Sequence, residues 1–154
     1  MSVDLAPSIK SRLVGQAEDI LDKVKTDGAF KGQTSQLRNM LQIVQTESEF
    51  LVLRNFIRYQ TGRKATRKFW LLIHDGVLAV LAQIDAELSD EKARRAALQS
   101  FFGYLVRHYV YLSESQRSPS AGGAGTGHGA AAGVRNGAHS APAGAAPSSR
   151  RARG

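Results

Sequence analysis

Four histidines, thirteen carboxylates and no cysteine are what this chain offers to proton transfer, metal binding or nucleophilic attack. Two of the histidines, His128 and His139, fall in a glycine- and alanine-rich tail. His74 and His108 sit at the edges of apolar helical patterns, where a packed structural histidine is far commoner than a catalyst. Glu18, Asp19 and Asp22 read as the solvated face of a helix. No HExxH pair, nucleophile elbow or phosphate-binding glycine loop flanked by strand and helix is present. The missing thiol removes disulfides, cysteine-ligated zinc and thiol catalysis, and it fits a reducing cytoplasm. The expectation is no catalytic residue, no metal site and no cofactor.

The cations point elsewhere. RNFIRYQTGRKATRKFW, from Arg54 to Trp70, holds six basic side chains and no acid, and no Asp or Glu occurs between Phe50 and His74. Arg54 and Arg58, four apart, form a narrow stripe on an otherwise largely apolar helix. Past Gly62, Arg63 and Lys64 are followed four residues later by Arg67 and Lys68, at the start of the next helix. Cations there oppose the helix macrodipole by up to ~1 kcal/mol each. That arrangement is tolerable where an anion is held jointly by the first-turn N–H groups and the side chains. It has the character of a phosphate-backbone footprint, indifferent to sequence and sensitive to salt. The plain alternative is a solvated basic face. Leu53, Phe56 and Ile57 cover one side of the helix and Tyr59 extends that cover. Phe56, Phe69 and Trp70 read as core rather than as stacking platforms.

Charge over the whole chain agrees with a polyanionic partner. The formal net charge is +8 and the pI about 10.2. From Ser118 onward, Arg135, Arg150, Arg151 and Arg153 carry half of that excess, with no acid among them.

The elements that must position these groups are helices. Leu13, Ala17, Ile20, Leu21 and Val24 recur at helical spacing up to Asp27-Gly28. Thr34 or Ser35 is a candidate N-cap for a second helix with Leu37, Met40, Leu41 and Val44. A third should start between Thr46 and Glu49 and end at Gly62 in a left-handed cap. A fourth runs from about Ala65 to Leu88, and Ser89-Asp90 opens a fifth that ends near Ser115. The spacing predicts an all-α, five-helix bundle over residues 1–115. Residues 116–154, nearly all Gly, Ala, Ser and Pro, are expected to form a disordered basic tail. No apolar run reaches the roughly 18 residues of a membrane span, and no signal peptide is evident.

Leu71 and Leu78 lie outside the fourth helix's main apolar arc, and Tyr104 and Tyr111 outside that of the fifth. Each pair is spaced by seven. These second stripes suit either a subunit contact or helices wrapped on both sides within the bundle.

TSQLRNML (Thr34–Leu41), LRNFIRYQTGRKATRKF (Leu53–Phe69) and FFGYLVRHYVYL (Phe101–Leu112), in that order, resemble the small helical subunit of type III-A CRISPR effector (Csm) complexes. The likeness spans roughly residues 10 to 115. It implies a non-catalytic, cytoplasmic subunit whose copies stack as a minor filament beside the backbone subunits and bridge them to the large signalling and nuclease subunit. It implies contact with the ribose-phosphate backbone of guide RNA and target RNA, and no membrane. Carried over by position, Arg38, Arg54 and Arg63 are the RNA-binding arginines, and charge and placement add Lys64, Arg67 and Lys68. A second reading has Arg38 or Arg63 bracing helix ends. The chain departs from the pattern at Arg58, where an apolar residue is expected, and in the short, partly acidic link VQTESEF. A different class of protein, a free-standing basic helical protein that coats or bends DNA, is the alternative.

Overall fold

The computed structural model describes residues 4–117. They form five α-helices, with no strand among the described residues. These are α1 (Pro7–Asp22), α2 (Thr34–Ile43), α3 (Phe50–Gly62), α4 (Arg67–Glu87) and α5 (Glu91–Ser115), with one 3-10 turn at Gly28–Phe30. The expected tail lies outside the described residues, apart from Gln116 and Arg117.

Pro7 begins α1, where its missing N–H costs nothing. Leu13, Ala17 and Leu21, one helical turn apart, turn its buried stripe inward. The α-helix stops at Asp22, earlier than the apolar spacing implies, because the chain tightens into turns and then the 3-10 segment. Asp27 caps that segment, its side chain accepting from the Ala29 amide at 2.8 Å. Gly32, at φ +73°, then reverses the chain in a region that side-chain-bearing residues rarely enter.

Three other boundaries differ from the sequence expectation. Gln33 occupies the N-cap of α2 without a side-chain cap, so Thr34 is the first helical residue and not the cap. Helix α3 starts at Phe50, because Glu47 holds the preceding link open: its Oε1 accepts from the amides of Ser48 (2.8 Å) and Glu49 (2.7 Å). Gly62 is the last residue of α3 and has no left-handed conformation; extended Arg63 ends the helix instead. The cap of α5 is as expected, with the Asp90 carboxylate accepting from the Ala93 amide at 2.8 Å.

Helix α1 packs on α5 and α4, α3 packs on α4, and α2 packs on α5. Named contacts fix the directions. Gln16 meets Gln83 and Arg12 meets Glu87, so α1 and α4 run antiparallel. Asp22 meets His108 and the Lys25 carbonyl meets Gln116, so α1 and α5 run parallel. At the α1–α4 crossing the helices come so close that a Cβ on Gly76 would sit 2.8 Å from Ile20 Cγ1.

The core is richest in aromatics where the start of α4 meets the end of α5. Phe69 stands edge-on to Tyr109 at 6.2 Å, and Phe30 lies 4.5 Å from the same ring. Phe30, Phe69, Trp70 and Tyr109 are all fully buried. The Tyr109 hydroxyl donates to the Phe30 carbonyl and accepts from the Gln33 amide at 2.8 Å, tying the 3-10 turn to α5.

Helix α4 is long and apolar enough, by length and composition, to cross a membrane. In the bundle seven of its residues, Phe69, Trp70, Ile73, Val77, Val80, Leu81 and Ile84, are buried against its neighbours. The sequence shows no unbroken apolar run of that length because His74, Asp75 and Gln83 interrupt it.

Candidate nucleic-acid interface

Helix α3 is fastened to α4 by its inner side. Leu53 and Ile57 are buried, and Gln60, one turn further on, is buried with them at 2% exposure. A buried amide needs partners, and Thr66 supplies one. Its hydroxyl donates to the Gln60 carbonyl at 2.7 Å and lies 3.2 Å from Gln60 Oε1. The Arg63 carbonyl accepts from the amides of Thr66 (3.1 Å) and Arg67 (2.8 Å). The turn is thus held by its polar core, while its outer side is free for charge.

That outer side carries Arg63, Lys64, Arg67 and Lys68, all exposed. Alternation at the start of α4 separates the two chemistries: Arg67 and Lys68 face solvent, and Phe69 and Trp70 drop into the aromatic core. Thr66 spends its hydroxyl on Gln60, so α4 has no side-chain cap, and the amides of Lys68 and Phe69 donate to no backbone group in the described residues. Arg58 is exposed on α3, and half-buried Arg54 lays its guanidinium over the Phe50 ring at 5.6 Å. Arg54 lies nine residues before Arg63, or about 13 Å of helix rise.

Among the described residues none of Arg54, Arg58, Arg63, Lys64, Arg67 and Lys68 has an ion-pair partner. The acids that bracket them are engaged elsewhere. Glu49 pairs with Arg94 at 3.1 Å, and the Asp75 carboxylate lies 3.2 Å from His74 Nε2. Several cations on other faces are matched: Arg94 also reaches Asp85, Arg12 meets Glu87, and Lys10 meets Asp4. The α3–α4 surface therefore carries a concentrated positive field.

Arg38 stands apart from this group. It is exposed on α2, which packs on α5 and approaches neither α3 nor α4. The second apolar stripes divide as well. Leu71 is 50% exposed and Tyr111 66% exposed. Leu78 and Tyr104 are partly buried against the core, with the Arg107 guanidinium 4.9 Å over the Tyr104 ring.

Sequence reasoning missed two things here. Tyr59 does not extend the apolar cover of α3; it is 59% exposed, with Arg63 over its ring at 5.6 Å. Its spacing of seven from exposed Val52 placed both on the outer face and was the available clue. Nothing in the sequence announces the Gln60–Thr66 clasp, because each residue type is ordinarily exposed.

The two histidines among the described residues, His74 and His108, make local contacts. His108 Nε2 lies 3.0 Å from the Asp22 carboxylate, and His74 Nδ1 lies 3.3 Å from the Leu71 carbonyl. The hydrogen bond with His108 is the main influence holding Asp22 below the ordinary aspartate value; desolvation opposes it and Lys25 assists. Glu87 is lowered too, first by Gln83 and then by Arg12. Among the described residues no three His, Asp or Glu side chains gather as metal ligands.

Comparison with protein-family models, curated proteins and solved structures finds no match.

Proposed function

We propose that this chain is a non-catalytic small subunit of a type III-A CRISPR RNA-guided complex, contributing to its minor filament and gripping the ribose-phosphate backbone of guide or target RNA. The observation that carries this reading is the run of unpaired cations across the α3–α4 turn, seated on a clasp that fixes their backbone. Such a surface suits recognition by charge and shape, as a complex that accepts any target sequence requires. The order of the TSQLR, YQTGR and FFGY segments supplies the more specific assignment. On this reading the protein works in the cytoplasm with guide RNA, target RNA, other effector subunits and copies of itself, and needs no cofactor.

Arg54, Arg63, Lys64, Arg67 and Lys68 form the RNA-facing group, and Arg38 serves a separate contact from α2. Of the two second stripes, Leu71, one turn beyond Arg67, and Tyr111 are the residues left exposed for a neighbouring subunit.

The test is affinity purification from the native cell, identifying both the proteins and the nucleic acid that come with the chain. Short guide RNAs together with the other effector subunits are the expected result. Genomic DNA alone would favour a DNA-coating protein and overturn the assignment.

A further inference from the structure

Contact with phosphates leaves Tyr59 without a role. Its ring is exposed on the outer face of α3, and its hydroxyl makes no hydrogen bond among the described residues. Phe56 supports it from the side of the bundle, with ring centroids 6.4 Å apart and tilted by 50°. Arg63 lies over it at 5.6 Å and has no acid partner among the described residues. An exposed ring braced from below, with a free cation against it, suits the planar face of a base whose phosphate is held alongside.

Gly62 leaves room beside the ring. It lies three residues after Tyr59 and so beside it on the helix surface. Its φ is not positive, and an added Cβ would meet nothing within 4 Å. Neither backbone conformation nor packing therefore calls for glycine here. Its missing side chain leaves the surface next to the Tyr59 ring open.

We infer that Tyr59 is a stacking platform for an unpaired nucleobase, so that the α3–α4 surface takes single-stranded RNA in preference to duplex. This rests on the nucleic-acid reading of the surface proposed above and narrows it. The Arg63 guanidinium, now over the ring, moves to the phosphate of the stacked nucleotide, exchanging a weak exposed cation–π contact for a charge-assisted hydrogen bond. Bases within a duplex are stacked on one another and cannot reach a ring on a convex helix surface.

The experiment is fluorescence anisotropy at low salt with the full chain and three labelled oligonucleotides of equal length: single-stranded RNA, the same RNA as a duplex, and an abasic strand that keeps the phosphates. The wild type should prefer the base-bearing single strand to both others. Tyr59→Ala should weaken that binding on the order of tenfold while leaving the abasic strand and the salt dependence unchanged. Tyr59→Phe should retain wild-type affinity, and circular dichroism should show all variants folded alike. Equal weakening on all three probes, or no change on any, overturns the stacking role. If Arg63→Glu with Lys64→Glu weakens binding and Tyr59→Ala does not, the phosphate footprint stands and the platform falls. If neither variant matters, both readings fall. A Tyr59→Ala effect seen only in self-association by sedimentation would assign the ring to a protein contact and overturn the platform.

Discussion

Single hydroxyl groups hold two of the chain reversals in this protein. Tyr109→Phe keeps the aromatic packing but strands the Phe30 carbonyl and the Gln33 amide. A loss of about 1–3 kcal/mol in urea unfolding is expected, since buried polar groups without partners cost that much. Thr66→Val should cost a similar amount by unpairing Gln60, and should also reduce RNA affinity because the four cations of the turn lose their fixed backbone. Gly62→Ala should instead stabilise by about 0.4–1 kcal/mol, the conformation being compatible with alanine and the space open. Asp22 brings a pH dependence. Its carboxylate is held below its ordinary value in the folded state, so its contribution is complete above that value and is lost as pH falls through the depressed one. Thermal melts of the wild type and Asp22→Asn should therefore differ near neutral pH and converge in the acid range. The two variants that strand polar groups could not have been chosen from the sequence. The partners of Tyr109 lie 76 and 79 residues away, and Thr66 resembles any turn threonine until Gln60 is seen to be buried.

Among the elements, five helices follow from apolar periodicity because every one has an inner stripe at 3.6-residue spacing. Periodicity does not report ends or pairings. Helix α1 stops at Asp22 because the chain must tighten toward Phe30, whose burial no helical pattern signals. The α1–α4 crossing is likewise invisible in sequence, though it explains Gly76, which sits mid-helix where glycine costs about 0.5–1 kcal/mol against alanine. Gly76→Val should be strongly destabilising in a thermal melt, since its branched side chain must displace Ile20 and push the two helices apart. The second stripes show the same limit. A spacing of seven placed Leu71 and Leu78 together, yet Leu78 is partly covered within the bundle and Leu71 is not. Leu71→Glu should accordingly leave the fold intact and, under the proposed function, weaken assembly with other subunits, read by co-purification. Leu78→Glu should cost stability first.

For the whole molecule the relevant quantity is the distribution of charge. A net charge of +8 describes solubility and general attraction to polyanions. What distinguishes the α3–α4 surface is that six cations gather there with no acid in their segment and no ion pair among the described residues. The basic run was legible in the sequence; the separation of Arg38 from it was not, because that follows from α2 packing on α5. Under the proposed function, Arg54→Glu with Arg63→Glu should weaken binding of target RNA by the assembled complex and flatten its dependence on salt concentration. Helical content and melting should stay near wild type, because neither guanidinium has an ion-pair partner to lose among the described residues.

Trp70 turns that comparison into an optical one. It is the only tryptophan in the chain, fully shielded from solvent, and two residues from Lys68. Its emission should be blue-shifted in the native protein and respond when the first turn of α4 loosens. A charge-reversal variant that binds poorly with unchanged emission has lost only its attraction for the strand. One whose emission moves to longer wavelength has lost the seat beneath it. A single fluorophore, native to the protein and needing no label, thereby separates the two causes of failure within one cuvette.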